Sequence, residues 1–514
     1  MRLSFWITAF ALAMFVLASA RPALAAEPTT QRFDRLGLVT SATPADLDGD
    51  GRLEIVAGTY DEKTRSRSLV ILRPSGNSAA PFAASDQRPV ADDVAAYCIA
   101  DWLPTPGAEI ALLTRAGVEI HAKKGSWLAT PEPLVRTELF FPVGDSERLT
   151  EWKLASDLDG DGRAELVLGT RGGYAVYGAR SGPPPASEPA ASEPMFEART
   201  QLEIQDARRF SGGALDYLRI DASLPSLLLG DHDGDGRTDL HLVLGDRLRV
   251  HLQKTDGSIP STPDVDRVLG FLDPSGRTAG ERVENHWVLL EGLSDGDRRS
   301  DLIVSRQSGR LSLLGQVLTR VLVYGGGEEL FSRKPRQPLT VKGISTPPDL
   351  VDVDGDGAAD LVVSSVRMDL MSNLTKALFK TVKVTYHVFL AQKGKGRFVA
   401  KPELSKMIEF SLESAQLGLA PLASFEGDFN GDGRPDLLTL TETDRFCIYE
   451  GKRGGGGFLS RKKKYDLPDR PTRTLDVGPG EGFEIVDLDR DRVSDLIVFG
   501  RDGLTLVLSK GGGR

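Results

Sequence analysis

The chemistry of this sequence is concentrated in one phrase, Asp428-Phe-Asn430-Gly-Asp432-Gly-Arg-Pro-Asp436, followed at once by the apolar run Leu437-Leu-Thr-Leu440. Acceptor side chains at alternate positions, Gly433 and a carboxylate at Asp436 can wrap one hard cation. Ca²⁺ takes about six to eight oxygen ligands, and glycine permits the sharp turn between them. Four more copies carry the full ligand set: Asp46, Asp48, Asp50 and Glu54; Asp157, Asp159, Asp161 and Glu165; Asp231, Asp233, Asp235 and Asp239; Asp352, Asp354, Asp356 and Asp360. Turn chemistry alone accounts for Asp and Gly but not for a third and fourth carboxylate, because anions crowded into one small loop repel unless a cation sits among them. Calcium is therefore the expected cofactor of these five loops.

An EF-hand is excluded, because its loop needs a glutamate at the twelfth position. These copies have Ala57, Leu168, Leu242, Val363 or Thr439 there. The seventh-position residues Arg52, Arg163, Arg237, Ala358 and Arg434 are expected to offer a backbone carbonyl only, with solvated side chains. Three further copies are eroded. Asp487, Asp489, Asp491 and Asp495 keep the carboxylates, but Arg490 and Arg492 replace glycines and bring competing charge, which leaves occupancy open. The copy at Leu293 has lost its first ligand and retains Asp295, Asp297 and Asp301, with Arg298 at the turn. Around Asp101 only the frame survives, with a turn at Pro104 to Gly107 and the run Glu109-Ile-Ala-Leu-Leu113, so no metal is expected there.

The first positions recur at 46, 101, 157, 231, 293, 352, 428 and 487, and each loop opens into an apolar run. The unit is a metal loop opening into a β-strand, and repeats of this period bury a shared core only by lying against neighbours. These residues resemble the FG-GAP, or VCBS, repeat, the calcium-loop blade of integrin α-chain heads and of many secreted bacterial proteins. The resemblance covers nearly all of the chain after its N terminus. It implies an all-β fold, a β-propeller with calcium loops between the first and second strands of its blades, and no single activity. Family members include adhesion heads, lectins and some polysaccharide lyases, so fold does not settle function. Eight blades are expected, or seven if the Asp101 unit is an insertion.

Period and turns place the strands of the Asp428 unit at 423–429, 436–442, 445–450 and 457–467. The last unit has only three, at 483–488, 495–499 and 504–508. The orphan segment 30–38 is expected to supply its fourth strand and close the ring, which removes two sheet edges. Insertions are expected at about 181–225 and 366–383, the first opening with a Pro-, Ala- and Ser-rich surface stretch and carrying a small added element before Leu227. A shorter extension, 311–318, occupies the place in the preceding unit that matches 366–383, on the face opposite the calcium loops.

The loops hold 26 of the 73 acidic residues, and the net charge of −10 argues against nucleic acid as a partner. Residues 1–25 read as a secretory signal peptide: Arg2, an apolar core over 5–17, and Ala23-Leu-Ala25 before the cleavage point. No later run approaches membrane-spanning length. A single propeller domain over 26–514, secreted or periplasmic at the cell envelope, is the resulting expectation. Cys98 and Cys447 fall in strand-like segments of different units and are expected to be buried thiols, not a disulfide. No His-Glu-x-x-His, nucleophile elbow or phosphate loop is present. His241 and His251 could face each other across a hairpin and hold a transition metal, but read better as strand-surface residues. Trp102, Trp127, Trp152 and Trp287 read as packing, not as sugar platforms. The expected role is a binding or adhesion scaffold for a protein or glycan. A lyase-like enzyme acting on polysaccharide is the rival and a structural envelope component the third reading; the sequence leans away from an enzyme without deciding it.

Overall fold

The computed structural model describes residues 27–510, except 122–125, 141–144, 171, 181–193, 205–208, 215–216, 222–223, 245–246, 269–285, 294, 310–316, 328–333, 367–380, 412–422, 443 and 454–463. The signal peptide expected at 1–25, the 366–383 insertion apart from its ends, and most of the 311–318 extension lie outside the described residues. Eight four-stranded antiparallel sheets follow one another along the chain and are arranged as the blades of a β-propeller. No helix among the described residues is long and apolar enough to cross a membrane.

The strands form where the sequence offers uninterrupted apolar runs. In blades 2 and 3 the second strands, Glu109–Thr114 and Glu165–Thr170, are buried at every position. A strand sandwiched between two neighbouring sheets has both faces covered, which is why it reads as a continuous apolar stretch instead of an alternating one. Among the described residues, eight apolar clusters fill the ring, each joining one blade to the next. Val56 and Leu69 of blade 1 meet Ile110 and Leu112 of blade 2, and Leu438 and Phe446 of blade 7 meet Leu496 and Val498 of blade 8. The eighth cluster joins the ends, packing Ile497, Leu504 and Leu506 of blade 8 on Val39, Ile55 and Val70 of blade 1. The unit around Asp101 is a full blade, Ala96–Ala100, Glu109–Thr114, Gly117–His121 and Glu132–Arg136, so the count is eight and not seven.

The ring closes as the orphan segment requires. Thr29–Phe33 pairs antiparallel with Gly503–Leu508, in register from Thr29 opposite Leu508 to Phe33 opposite Leu504. The closing strand is shorter than 30–38, because the chain turns through Asp34–Leu36 and Leu38 already opens the inner strand of blade 1. The outer strand of blade 7 differs from expectation: it is Arg473–Asp476, and of the expected 457–467 only 464–467 is among the described residues. The apolar residues that suggested a strand there, Tyr465 and Leu467, are a plug in the cluster between blades 6 and 7, and Tyr465 Oη donates to the Pro435 carbonyl at 3.0 Å. Of the stretch 181–225, the Pro-, Ala- and Ser-rich part over 181–193 lies outside the described residues, and the rest is not one insertion. Phe196–Glu203 is the outer strand of blade 3, and the added element is a separate hairpin, Arg209–Ala214 with Tyr217–Asp221.

Candidate metal centres

Each loop links the inner strand of its blade to the second strand, so all the loops leave the ring on one face. The first carboxylate builds the loop around itself. Asp46 accepts the N–H of Gly49 on Oδ1 and that of Gly51 on Oδ2, both at 2.7 Å. Asp157, Asp231, Asp352 and Asp428 repeat this pair of bonds at 2.7–3.0 Å. The glycines at these positions have positive φ, 72° at Gly49 and 84° at Gly51, a region that residues with a Cβ enter at a cost. The Asp487 loop reaches the same shape with arginines, Arg490 at 65° and Arg492 at 69°, and Arg492 N–H still donates to Asp487 Oδ2 at 2.9 Å. Left-handed backbone at a non-glycine residue costs about 1–2 kcal/mol each, so this loop holds its geometry against strain.

The ninth-position carboxylate opens the second strand and is buried. Glu54 and Glu165 accept the N–H of Leu47 and Leu158, each at 2.9 Å. The shorter Asp436 accepts two, from Phe429 and from Gly451 at the end of the third strand, both at 2.8 Å; Asp239, Asp360 and Asp495 do the same in their blades. Burial raises these carboxyls more than the backbone donors lower them: Asp239 is pushed up to about 6, and Asp360, Asp436 and Asp495 to about 7. Carboxylates from neighbouring positions of the same loop push in the same direction.

Among the described residues, three carboxylates of one loop come within 4.8 Å of one another at five places: Asp46, Asp48 and Asp50; Asp157, Asp159 and Glu165; Asp231, Asp233 and Asp239; Asp352, Asp354 and Asp356; Asp487, Asp489 and Asp495. In the seventh loop, Asp428, Asp432 and Asp436 do not converge this closely, and Asn430 turns its amide nitrogen to Asp436 Oδ1 at 3.3 Å. The donor set fits a hard divalent cation, being oxygen throughout. Asp354 adds a specific fit, for its Oδ1 is buried and has no protein partner. Lys464 of blade 7 reaches its Oδ2 at 3.0 Å.

Several residues sit elsewhere than the sequence suggests. Arg52 and Arg237 are not simply solvated but fold back on Asp50 and Asp235 of their own loops. His241 and His251 do not face each other: His241 lies opposite Val250, and His251 opposite Leu240. Both are fully buried instead of lying on a strand surface, and His241 Nε2 lies 3.3 Å from His232 Nδ1 in the fourth loop. Trp102 is buried, Trp127 and Trp152 are partly buried against apolar clusters, and the side chain of Trp287 lies outside the described residues. Cys98 and Cys447 are free and buried, in blades 2 and 7.

The loops are also wired to one another, which no side-chain pattern reveals. The N–H of the eighth loop residue donates to the carbonyl of the first residue of the preceding loop: Ala108 to Asp46, Ala164 to Asp101, Ser300 to Asp231 and Ser494 to Asp428, at 2.7–2.8 Å. Pro435 occupies the eighth position in blade 7 and has no N–H. Across that joint Lys464 spans instead, to Asp354 and Asp356 of blade 6. An open cleft of about 450 Å³ lies over the joint of blades 1 and 2, with Asp46, Asp101 and Glu151 in its lining.

No family model matches the chain, and no curated protein matches it. Among solved structures it is similar to an Agrocybe aegerita lectin that specifically recognises non-reducing terminal N-acetylglucosamine, at 17% identity over 82% of this chain and 90% of that one, with a TM-score of 0.39. It is similar also to the V. cholerae biofilm matrix protein Bap1, at 12% identity over 95% of this chain and 88% of the other, with a TM-score of 0.31. The Dos1 propeller is similar at 8% identity over 94% and 95%, with a TM-score of 0.40. The eight-bladed propeller itself stands on the chain's own sheets and on the eight clusters that join them.

Proposed function

We propose that this chain is an exported, calcium-loaded β-propeller of the FG-GAP or VCBS kind, a single domain over 26–514 that serves as a binding or adhesion scaffold for a protein or glycan at the cell envelope. The observation that carries the metal reading is the recurrence, on one face, of loops in which three carboxylates lie within 4.8 Å of one another. Anions so close are tolerable together when a cation neutralises them. Calcium would be held by the carboxylates of the loops that begin at Asp46, Asp157, Asp231 and Asp352, and by Asp428, Asn430, Asp432 and Asp436 in the seventh. The eighth, with Asp487, Asp489, Asp491 and Asp495, offers the same groups on a strained backbone. The ions would fix a ring of loops whose backbones already bond to the next blade at four joints, giving a rigid face for a ligand. The acidic cleft beside Asp46 and Asp101 suits hydroxyl or amino groups and not anions. The leader-like residues 1–25 support export.

Elemental analysis of the protein purified in calcium, together with a glycan array run with and without chelator, tests both halves. Several bound calcium ions per chain and sugar binding that chelator abolishes are expected. A metal-free protein whose melting curve ignores chelator would remove the calcium reading, and depolymerisation of an arrayed polysaccharide would replace the scaffold by an enzyme.

A further inference from the structure

The fifth loop keeps Asp295, Asp297 and Asp301, but its first position is Leu293, whose side chain is buried in the cluster between blades 5 and 6. Its anions have an internal cation. Arg336 immediately precedes the outer strand of the same blade, Gln337–Lys342, and reaches back so that Nη1 lies 2.6 Å from Asp295 Oδ2 and 3.5 Å from Asp301 Oδ1. These side chains are nearly shut off from solvent, at 12% exposure for Arg336, 10% for Asp295 and 0% for Asp301. Blade 6 closes over them: a Cβ at Gly396 would collide with Arg336 Nη1 and come within 2.9 Å of Asp295 Cβ. Next to Arg336, the Gln337 amide clasps Phe398 of blade 6, donating to its carbonyl and accepting its N–H, each at 2.8 Å.

We propose that the Arg336 guanidinium is the resident cation of the fifth loop, so that this loop takes no metal and the joint between blades 5 and 6 holds without calcium. The inference rests on the calcium reading of the other loops. A divalent ion entering here would find no first-position carboxylate and two of the three remaining carboxylates engaged by a buried guanidinium. Expelling that guanidinium would break its contacts with Asp295 and Asp301, and breaking a buried pair is strongly unfavourable. Neither neighbouring arginine is placed to substitute: Arg298 sits in the turn at a φ of 63°, and Arg299 Nε donates to the Asp233 carbonyl of blade 4 at 3.1 Å. The sixth loop makes the contrast. Its Lys464 also touches a loop carboxylate, Asp354, but is 53% exposed and can swing into water when an ion arrives.

The test compares the full chain with Arg336→Met, Arg336→Lys and Asp295→Asn, measuring bound calcium by elemental analysis and melting temperature in calcium and in EGTA. Asp295→Asn is expected to leave the calcium count of the wild type unchanged; a count lower by one would overturn the proposal. Arg336→Met is expected to melt several degrees below wild type in EGTA, whereas Arg336→Lys keeps most of the stability. A Met variant as stable as wild type in EGTA would overturn it too. Should the wild type hold no calcium, the reading of the other loops fails, but a double-mutant cycle of Arg336→Met with Asp295→Asn in EGTA still reads the pair. A coupling of about tenfold or more in the unfolding equilibrium is expected, and strictly additive losses would dismiss the guanidinium's role.

Discussion

The amide N–H of Ala164 donates to the carbonyl oxygen of Asp101 at 2.8 Å, across the joint between blades 3 and 2. Ala108 and Asp46, Ser300 and Asp231, and Ser494 and Asp428 repeat the bond at other joints. The first residue of a loop therefore faces two ways: in the intact copies its carboxylate folds its own loop, and at these joints its carbonyl holds the next blade. The second duty needs no particular side chain. That helps the Asp101 unit remain a blade of the ring although its loop has lost the third- and fifth-position ligands; its ninth-position Glu109 still accepts the Trp102 N–H at 3.0 Å, as Glu54 and Glu165 do in their loops.

Asp46 and Asp101 should accordingly respond differently to truncation. Asp46→Ala strips Gly49 and Gly51 of a charged acceptor and is expected to cost about 2–3 kcal/mol even in chelator, with one calcium ion fewer per chain. Asp101→Ala leaves the Ala164 bond intact and should stay within about 0.5 kcal/mol of wild type. Denaturant titration of both variants decides the matter, and equal losses would contradict the division of labour.

The raised carboxyls set a pH dependence with a definite sign. Asp239 titrates near 6, and Asp360, Asp436 and Asp495 near 7, because burial penalises their charged forms, whereas in the unfolded chain they titrate near about 4. Between these values the folded state binds more protons than the unfolded one, so stability of the calcium-free protein falls as pH rises. Calcium needs the deprotonated carboxylates and should reverse the trend. Calorimetry is expected to show a lower melting temperature at pH 8 than at pH 5 in EGTA, with the calcium increment larger at pH 8. A calcium-free melting temperature that climbs over this interval would be the wrong sign.

Ring closure is concentrated at Gly503. Its φ of 100° suits glycine, and a Cβ there would collide with the carbonyl oxygen of Phe33 in the closing strand. Gly503→Ala is expected to cost about 2–4 kcal/mol. It should also accelerate hydrogen exchange at Leu504 and Leu506, whose amides lie in the strand that pairs with Thr29–Phe33. Deleting residues 27–36 should go further and give concentration-dependent aggregation, since the edge of Gly503–Leu508 is then open. Unchanged exchange in the Ala variant would mean that closure does not depend on this contact.

The two thiols should be silent in the native state. Cys98 and Cys447 are 1% and 6% exposed, and burial pushes the Cys98 thiol up to about 11. Ellman's reagent at pH 8 is expected to find no thiol in the native protein and two per chain in denaturant without reductant. Fewer than two in denaturant would reveal oxidation that the separated blades do not allow within one chain.

What the sequence determined by itself is local. Asp-x-Asp-Gly-Asp-Gly dictates a loop because each carboxylate finds its N–H partners within a few residues, as Asp46 does with Gly49 and Gly51. The run after it dictates a strand covered on both faces, and the missing fourth strand of the last unit implied that the N-terminal segment completes it. What only the tertiary structure decided depends on neighbours far apart in sequence. An outer strand such as Arg473–Asp476 has one face in solvent and so carries no apolar signature, while Tyr465 and Leu467 carry one for a different reason, as a plug between blades. His241 meets His232 and not His251, because the pairing of the strands sets which residues come opposite. Arg336 lies 41 residues from Asp295, and nothing in the intervening chain announces that the two will meet. The loops were legible because their bonding is short-range; their neutralising charge and their joints were not, because those arise only when blades are laid side by side.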